Sequence, residues 1–172
     1  WFAHEAKSLS GTAHLVRYAD DFIVGFQRLG EAEAFLERLK ERFARFGLKL
    51  HADKTRLIRF GKFARRNSPL DGRERPETFD FLGFTHISGE NREGGFRLVR
   101  RTSRQRRRNK RQALKQGMED RREWKLADQW AWLSSALRGH FAYYGLPTNY
   151  PALASFRRQV RRDWHRSLMR RS

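Results

Sequence analysis

The chain has 172 residues, enough for one ordinary domain or two small ones with a real core. Its 38% hydrophobic content, with 14 Phe and 5 Trp, excludes a disordered basic tail. A formal net charge of +19 points to a polyanionic partner, nucleic acid first and an anionic membrane second. With no cysteine there are no disulfides or thiolate metal sites, and no run of about 18 apolar residues offers a membrane span.

The charge is uneven. Residues 1–96 carry 17 basic and 14 acidic side chains, whereas residues 97–172 carry 21 basic and 5 acidic. A nearly balanced first module is therefore expected to precede a polyanion-binding one. The sequence opens at Trp1 with neither an initiator Met nor a signal-like apolar region, and a piece of a longer protein is expected.

In chain order, Leu15–Tyr18 and Phe22–Phe26 are apolar, β-favouring runs around an acidic centre, predicting a hairpin with Asp20 and Asp21 at its tip. Ala32, Phe35, Leu36, Leu39, Phe43 and Phe46 recur at helical spacing, with Glu31 and Glu33 in the first turn and Gly47 as the cap. Short strands are expected at Leu48–Leu50 and Thr55–Phe60, and a loop at 61–78. A strand at Phe79–Ile87, a turn at Ser88–Gly94 and a partner strand at Phe96–Arg100 follow. From about residue 103 the period becomes helical. A basic helix over 104–118 comes first. A second helix is striped by Leu126, Trp130, Leu133, Leu137, Phe141 and Tyr144. The last opens at Pro151 and buries Leu153, Phe156, Val160, Trp164 and Leu168. The order predicts an α+β module followed by a small helical bundle.

Adjacent carboxylates at a hairpin tip repel one another, and a divalent cation neutralises them. Mg²⁺ is commonly held by one or two carboxylates plus substrate phosphates, as in two-metal phosphoryl chemistry. Asp-Asp is also ordinary turn chemistry. The six histidines show no ligand spacing, so zinc is not expected.

Four stretches, in order, carry a family resemblance. Tyr18-Ala19-Asp20-Asp21 resembles the YxDD motif of reverse transcriptases, in the alanine form typical of group II intron proteins. Phe46–Thr55 is similar to the helix-to-strand segment that follows it, and Phe81-Leu82-Gly83-Phe84 to the primer-grip segment. Leu137–Tyr144 is similar to a helix of the maturase region, domain X, which serves as the thumb.

The resemblance implies a partial polymerase palm, an antiparallel sheet with a packed helix, over 1–102. A truncated three-helix thumb bundle over 103–172 would follow. It implies RNA-directed DNA synthesis in the bacterial cytoplasm, with Mg²⁺, dNTP, an RNA template–DNA primer duplex and group II intron RNA as partners. Asp20 and Asp21 would hold metal, and Lys54 would act near the nucleotide phosphates. Tyr18, Ala19, Phe81, Leu82 and Gly83 would lie along nucleotide and primer. One further Asp of the family's palm belongs to a strand preceding residue 1, so an incomplete metal site and weak or absent polymerisation by this chain alone are expected.

Between Arg97 and Arg111 there are nine basic residues and no acid. Arg100, Arg101, Arg104, Arg107, Arg108 and Arg111, with Arg157, Arg158, Arg161 and Arg162 of the last helix, are the candidate RNA contacts. Trp124 and Trp132 are candidates for base stacking, whereas Trp130 and Trp164 fall on apolar stripes. An RNA-binding module without polymerase activity is the alternative. A retron-type enzyme and a membrane-bound basic protein are more distant ones.

Overall fold

A computed structural model describes residues 1–67 and 75–170. Part of the loop expected at 61–78 lies outside the described residues. The fold is α+β, with two small antiparallel sheets and six α-helices among the described residues. The chain divides into two compact units, Trp1–Ile58 and Arg59–Ser172.

The first unit opens with helix α1 (Phe2–Lys7), continues as strands β1 (Ala13–Tyr18) and β2 (Asp21–Phe26), and ends in helix α2 (Leu29–Arg45). The strands pair antiparallel as the expected hairpin, Ala13 opposite Phe26 and Tyr18 opposite Asp21. The apolar stripe of α2 buries Ala32, Phe35 and Leu39. Phe35 is the hub, with the rings of Trp1, Phe2 and Phe26 at 5.2, 5.9 and 5.1 Å. Glu31 does more than face the helix N-terminus. Its carboxylate accepts the Ser10 and Gly11 N–H groups at 2.8 and 3.1 Å and so fixes the approach to β1. Gly47 (φ 67) ends α2 as expected, with Leu48 N–H donating to Phe43 O and Gly47 N–H to Ala44 O.

The strands expected at Leu48–Leu50 and Thr55–Phe60 do not form. A short apolar run becomes a strand only where another backbone accepts its ladder, and here the segment makes a turn at His51–Thr55 instead, closed by Thr55 N–H on His51 O.

In the second unit a short helix α3 (Ala64–Asn67) precedes β3 (Thr78–Phe81), β4 (Phe84–Glu90) and β5 (Phe96–Thr102), an antiparallel sheet in that spatial order. The single strand expected at 79–87 is thus a hairpin. Leu82 (φ 49) and Gly83 (φ 78) both take positive φ and make a two-residue turn between paired Phe81 and Phe84. Leu-Gly lacks the Asn-Gly signature of such turns, and continuous apolar residues concealed it. β4 also runs further than expected, and the turn falls at Asn91–Gly95, where Asn91 Oδ1 accepts the Gly95 N–H.

Helices α4 (Arg104–Asp120), α5 (Leu126–Tyr144) and α6 (Tyr150–Leu168) form the expected three-helix bundle. Its core is Leu114, Met118, Leu133, Phe156 and Val160, with Trp132, Ala136, Leu137, Phe141 and Trp164 against it. The face of α5 is rotated from the expected stripe. Leu126 and Trp130 are exposed, whereas Gln129, Leu133 and His140 are buried. Trp132 enters the core because Gly117 of α4 leaves room for its ring.

The sheet and the bundle belong to one compact unit, and the residues that join them are polar. Asn149, in the 3₁₀ turn Pro147–Asn149, is 0% exposed. It accepts the Thr102 N–H at 2.9 Å and donates to Thr102 Oγ1 and Tyr144 O at 2.8 Å each. Thr148 accepts from Arg100 N–H and donates to Arg100 O, both at 3.1 Å. The turn thereby satisfies the free edge of β5. The 102/103 junction expected between palm and thumb lies inside this unit.

Candidate nucleotidyl-transfer hairpin and nucleic-acid interface

The β1–β2 loop has only two residues, Ala19 and Asp20, between the paired Tyr18 and Asp21. Ala19 takes φ 53, a left-handed conformation that costs an L-residue about 1–2 kcal/mol. Such backbone outliers cluster at functional sites. Tyr18 is 65% exposed, and Ala19, Asp20 and Asp21 are exposed as well. The hairpin therefore offers two successive carboxylates to solvent from a short tip, Asp20 in the loop and Asp21 at the start of β2.

These are hard oxygen donors of the kind Mg²⁺ takes, and two carboxylates suffice when substrate phosphates complete the shell. Among the described residues no group of three or more His, Cys, Asp or Glu is disposed to hold a metal. Asp20 and Asp21 would supply part of such a site and not a closed protein cage. Glu5 is engaged elsewhere, in an ion pair with Arg38 at 2.8 Å. Lys54 stands in the exposed His51–Thr55 turn of the same unit.

Phe81, Leu82 and Gly83 belong to the second unit, where α5 clamps their turn. Tyr143 Oη donates to Leu82 O at 3.0 Å, and Ser103 N–H donates to Gly83 O at 2.9 Å. A Cβ on Gly83 would lie 2.6 Å from Tyr144 Oη. Phe84 packs on both tyrosine rings, at 5.8 and 5.0 Å. The sequence signal for this clamp is the Tyr-Tyr pair closing the α5 stripe.

The candidate RNA arginines fall on three elements. Arg100 and Arg101 lie on β5, and both are exposed. Arg104, Arg107 and Arg108 occupy the first turns of α4, whose N-cap is Ser103. That end of a helix already carries positive partial charge, and no acid offsets it, so an anion is the stabilising neighbour. Arg157, Arg158, Arg161 and Arg162 are exposed on α6. Arg111 is placed differently, since its guanidinium bonds both carboxylate oxygens of Asp163 at 2.6 and 2.9 Å. It holds α4 to α6, and Lys115 stands 4.0 Å from the same carboxylate.

Gln129 is buried and Trp132 half-buried where α4, α5 and α6 meet. Gln129 donates to Arg121 O and Arg122 O and accepts from Trp164 Nε1 at 3.2 Å, capping the α4–α5 connection. Trp132 stacks beneath Arg121 at 4.6 Å and is core. Trp124 also carries Arg121 over its ring, at 5.0 Å. Among the described residues no helix is long and apolar enough to cross a membrane.

Comparison with known families agrees with the hairpin. Residues 2–86 match the family model described as reverse transcriptase (RNA-dependent DNA polymerase). The matched span includes Tyr18–Asp21, Lys54 and Phe81–Gly83. Residues 87–172, with all the candidate RNA arginines, lie beyond it. No curated protein and no solved structure matches the chain.

Proposed function

We propose that this chain is the palm and thumb portion of a group II intron RNA-directed DNA polymerase that also binds its intron RNA. The observation that carries the reading is the two-residue hairpin presenting Asp20 and Asp21 inside a segment matching the reverse transcriptase family. Asp20 and Asp21 would hold Mg²⁺, which when bound activates the attacking hydroxyl and stabilises the leaving oxygen. Tyr18 and Ala19 would border the nucleotide, and Lys54 would place a positive charge near its phosphates. The turn at Phe81–Gly83, clamped by Tyr143, would seat the primer strand.

The chemistry asked of the protein is mainly positioning and charge. A short tip suits that task, because Asp20 in the loop and Asp21 at the start of β2 are adjacent on one paired hairpin. The arginines of α4 and α6 would grip phosphates of template–primer duplex and structured intron RNA through shape and charge. The maturase reading rests on the resemblance of Leu137–Tyr144 to domain X.

RNA-templated primer extension by the natural polypeptide carrying this sequence tests the proposal. Asp20→Asn and Asp21→Asn are expected to lower the extension rate about 10²-fold or more, the scale of losing charge stabilisation at a reacting centre. Undiminished extension by both variants would remove the active-site assignment. The second reading, an RNA-binding module for splicing, is favoured by the concentration of cationic side chains outside the matched span. It predicts RNA binding without extension even in the unmodified protein.

A further inference from the structure

The segment Phe60–Arg66 is fixed to the β3–β5 sheet by residues on either side of one exposed ring. Phe60 packs edge-on against Phe79 at 4.9 Å and Phe96 at 6.4 Å. Gly61 N–H donates to Ser88 Oγ at 3.0 Å, Ala64 is buried, and Arg65 pairs with Glu90. Between these anchors Phe63 turns outward and is 53% exposed. Among the described residues, packing of its own unit does not account for that placement. Lys62 Nζ and Arg66 Cζ lie over the ring, 5.6 and 5.0 Å from its centroid, so an incoming base would take the place of one of them on the face it covers. A hollow of about 220 Å³ opens beside it, lined by α3 and the β4–β5 hairpin, including Gly89, Gly94 and Gly95.

We propose that Phe63 is a stacking platform for an unpaired base of a bound nucleic-acid strand, with Lys62 and Arg66 on the flanking phosphates. This rests on the nucleic-acid-binding reading above and adds a contact outside its arginine helices. An aromatic face accepts any base, and neighbouring cations follow the backbone on either side. A protein anchor would instead favour an apolar surround, since charged residues are depleted at the centre of such interfaces. A paired base hides its faces in the duplex stack, so the platform selects single-stranded loops, bulges or ends. The fixed backbone means little ordering cost on binding.

The test is equilibrium binding of the whole chain to a single-stranded RNA carrying 2-aminopurine and to a blunt RNA duplex. Phe63→Ala and Phe63→Leu are expected to weaken single-strand binding about tenfold, the loss of one base–aromatic stack, and to abolish the fluorescence change. Phe63→Tyr should stay within about twofold of the unmodified chain, and duplex affinity should be unchanged in all three. Because the ring is exposed, unchanged thermal melting is expected and separates this effect from misfolding. Unmodified single-strand affinity in Phe63→Ala, equal loss toward duplex, or full activity of Phe63→Leu would each overturn the platform while leaving the arginine grip standing. If the unmodified chain binds neither RNA, both readings fall.

Discussion

Asp163 shows how one buried residue fixes a helix pair. It is the sole acid of α6, and its side chain is 3% exposed. Burial pushes its carboxyl up, but the hydrogen bonds and charge of Arg111, with Lys115 and Arg166, outweigh this and hold it below the ordinary carboxylate range. Asp163→Ala should cost about 1.5–3 kcal/mol, the worth of hydrogen bonds to charged groups, because Arg111 keeps some solvent. With the folded value depressed, that stability is present at neutral pH and is lost as pH falls through the folded value in strong acid. Denaturant melts of the variant and parent at both pH values check it. His140 behaves oppositely. Burial, then the charge of Lys110, lowers it from 6.5 to about 4, and its Nε2 is buried without a partner. The unfolded chain takes up a proton first, so stability should fall between pH 6.5 and about 4 and level off below. The loss is roughly 3 kcal/mol at about 1.4 per unit. His140→Phe, packed on Phe156 and Tyr144, should flatten that slope in pH-dependent denaturation.

Elements were legible in the sequence where one period ran uninterrupted. α2, the β1–β2 hairpin and α6 follow from their apolar spacing, whereas the same spacing locates α5 but not the face it buries. The β3–β4 turn does not follow, because Leu82-Gly83 sits in a continuous apolar run and the residues that hold its two carbonyls, Tyr143 and Ser103, are distant in sequence. Gly83→Ala should therefore destabilise by about 1–2 kcal/mol from backbone strain alone, with crowding by Tyr144 added. Thermal unfolding would show it. Asn149 is equally opaque, a polar residue in a loop that proves wholly buried as the edge cap of β5. Asn149→Leu leaves Thr102 N–H unpaired and should cost about 1–3 kcal/mol in the same assay. The site divides similarly. Asp20 and Asp21 are readable as a motif at a tip, whereas Arg111 is indistinguishable from its neighbours until Asp163 is seen across from it. Phe63 carried no periodic signal at all.

At the level of the whole molecule, charge and chemistry are segregated along the chain. The carboxylates belong to the span matching reverse transcriptases, and 21 of the 38 basic residues lie in 97–172. RNA affinity should accordingly be steeply salt-dependent, falling by about 10³-fold between roughly 50 and 200 mM salt if six phosphates are engaged. Fluorescence anisotropy across a salt series measures it, and a flat response would argue against a phosphate grip. The hairpin and the arginines should also be separable. In the natural polypeptide, RNA affinity and RNA-templated extension at saturating RNA are to be measured together for Asp20→Asn and for the joint Arg157, Arg158, Arg161 and Arg162 alanine variant. The first should keep its affinity and lose extension, while the second should lose affinity and recover extension once RNA saturates. Extension by Asp20→Asn at the unmodified rate would contradict this separation.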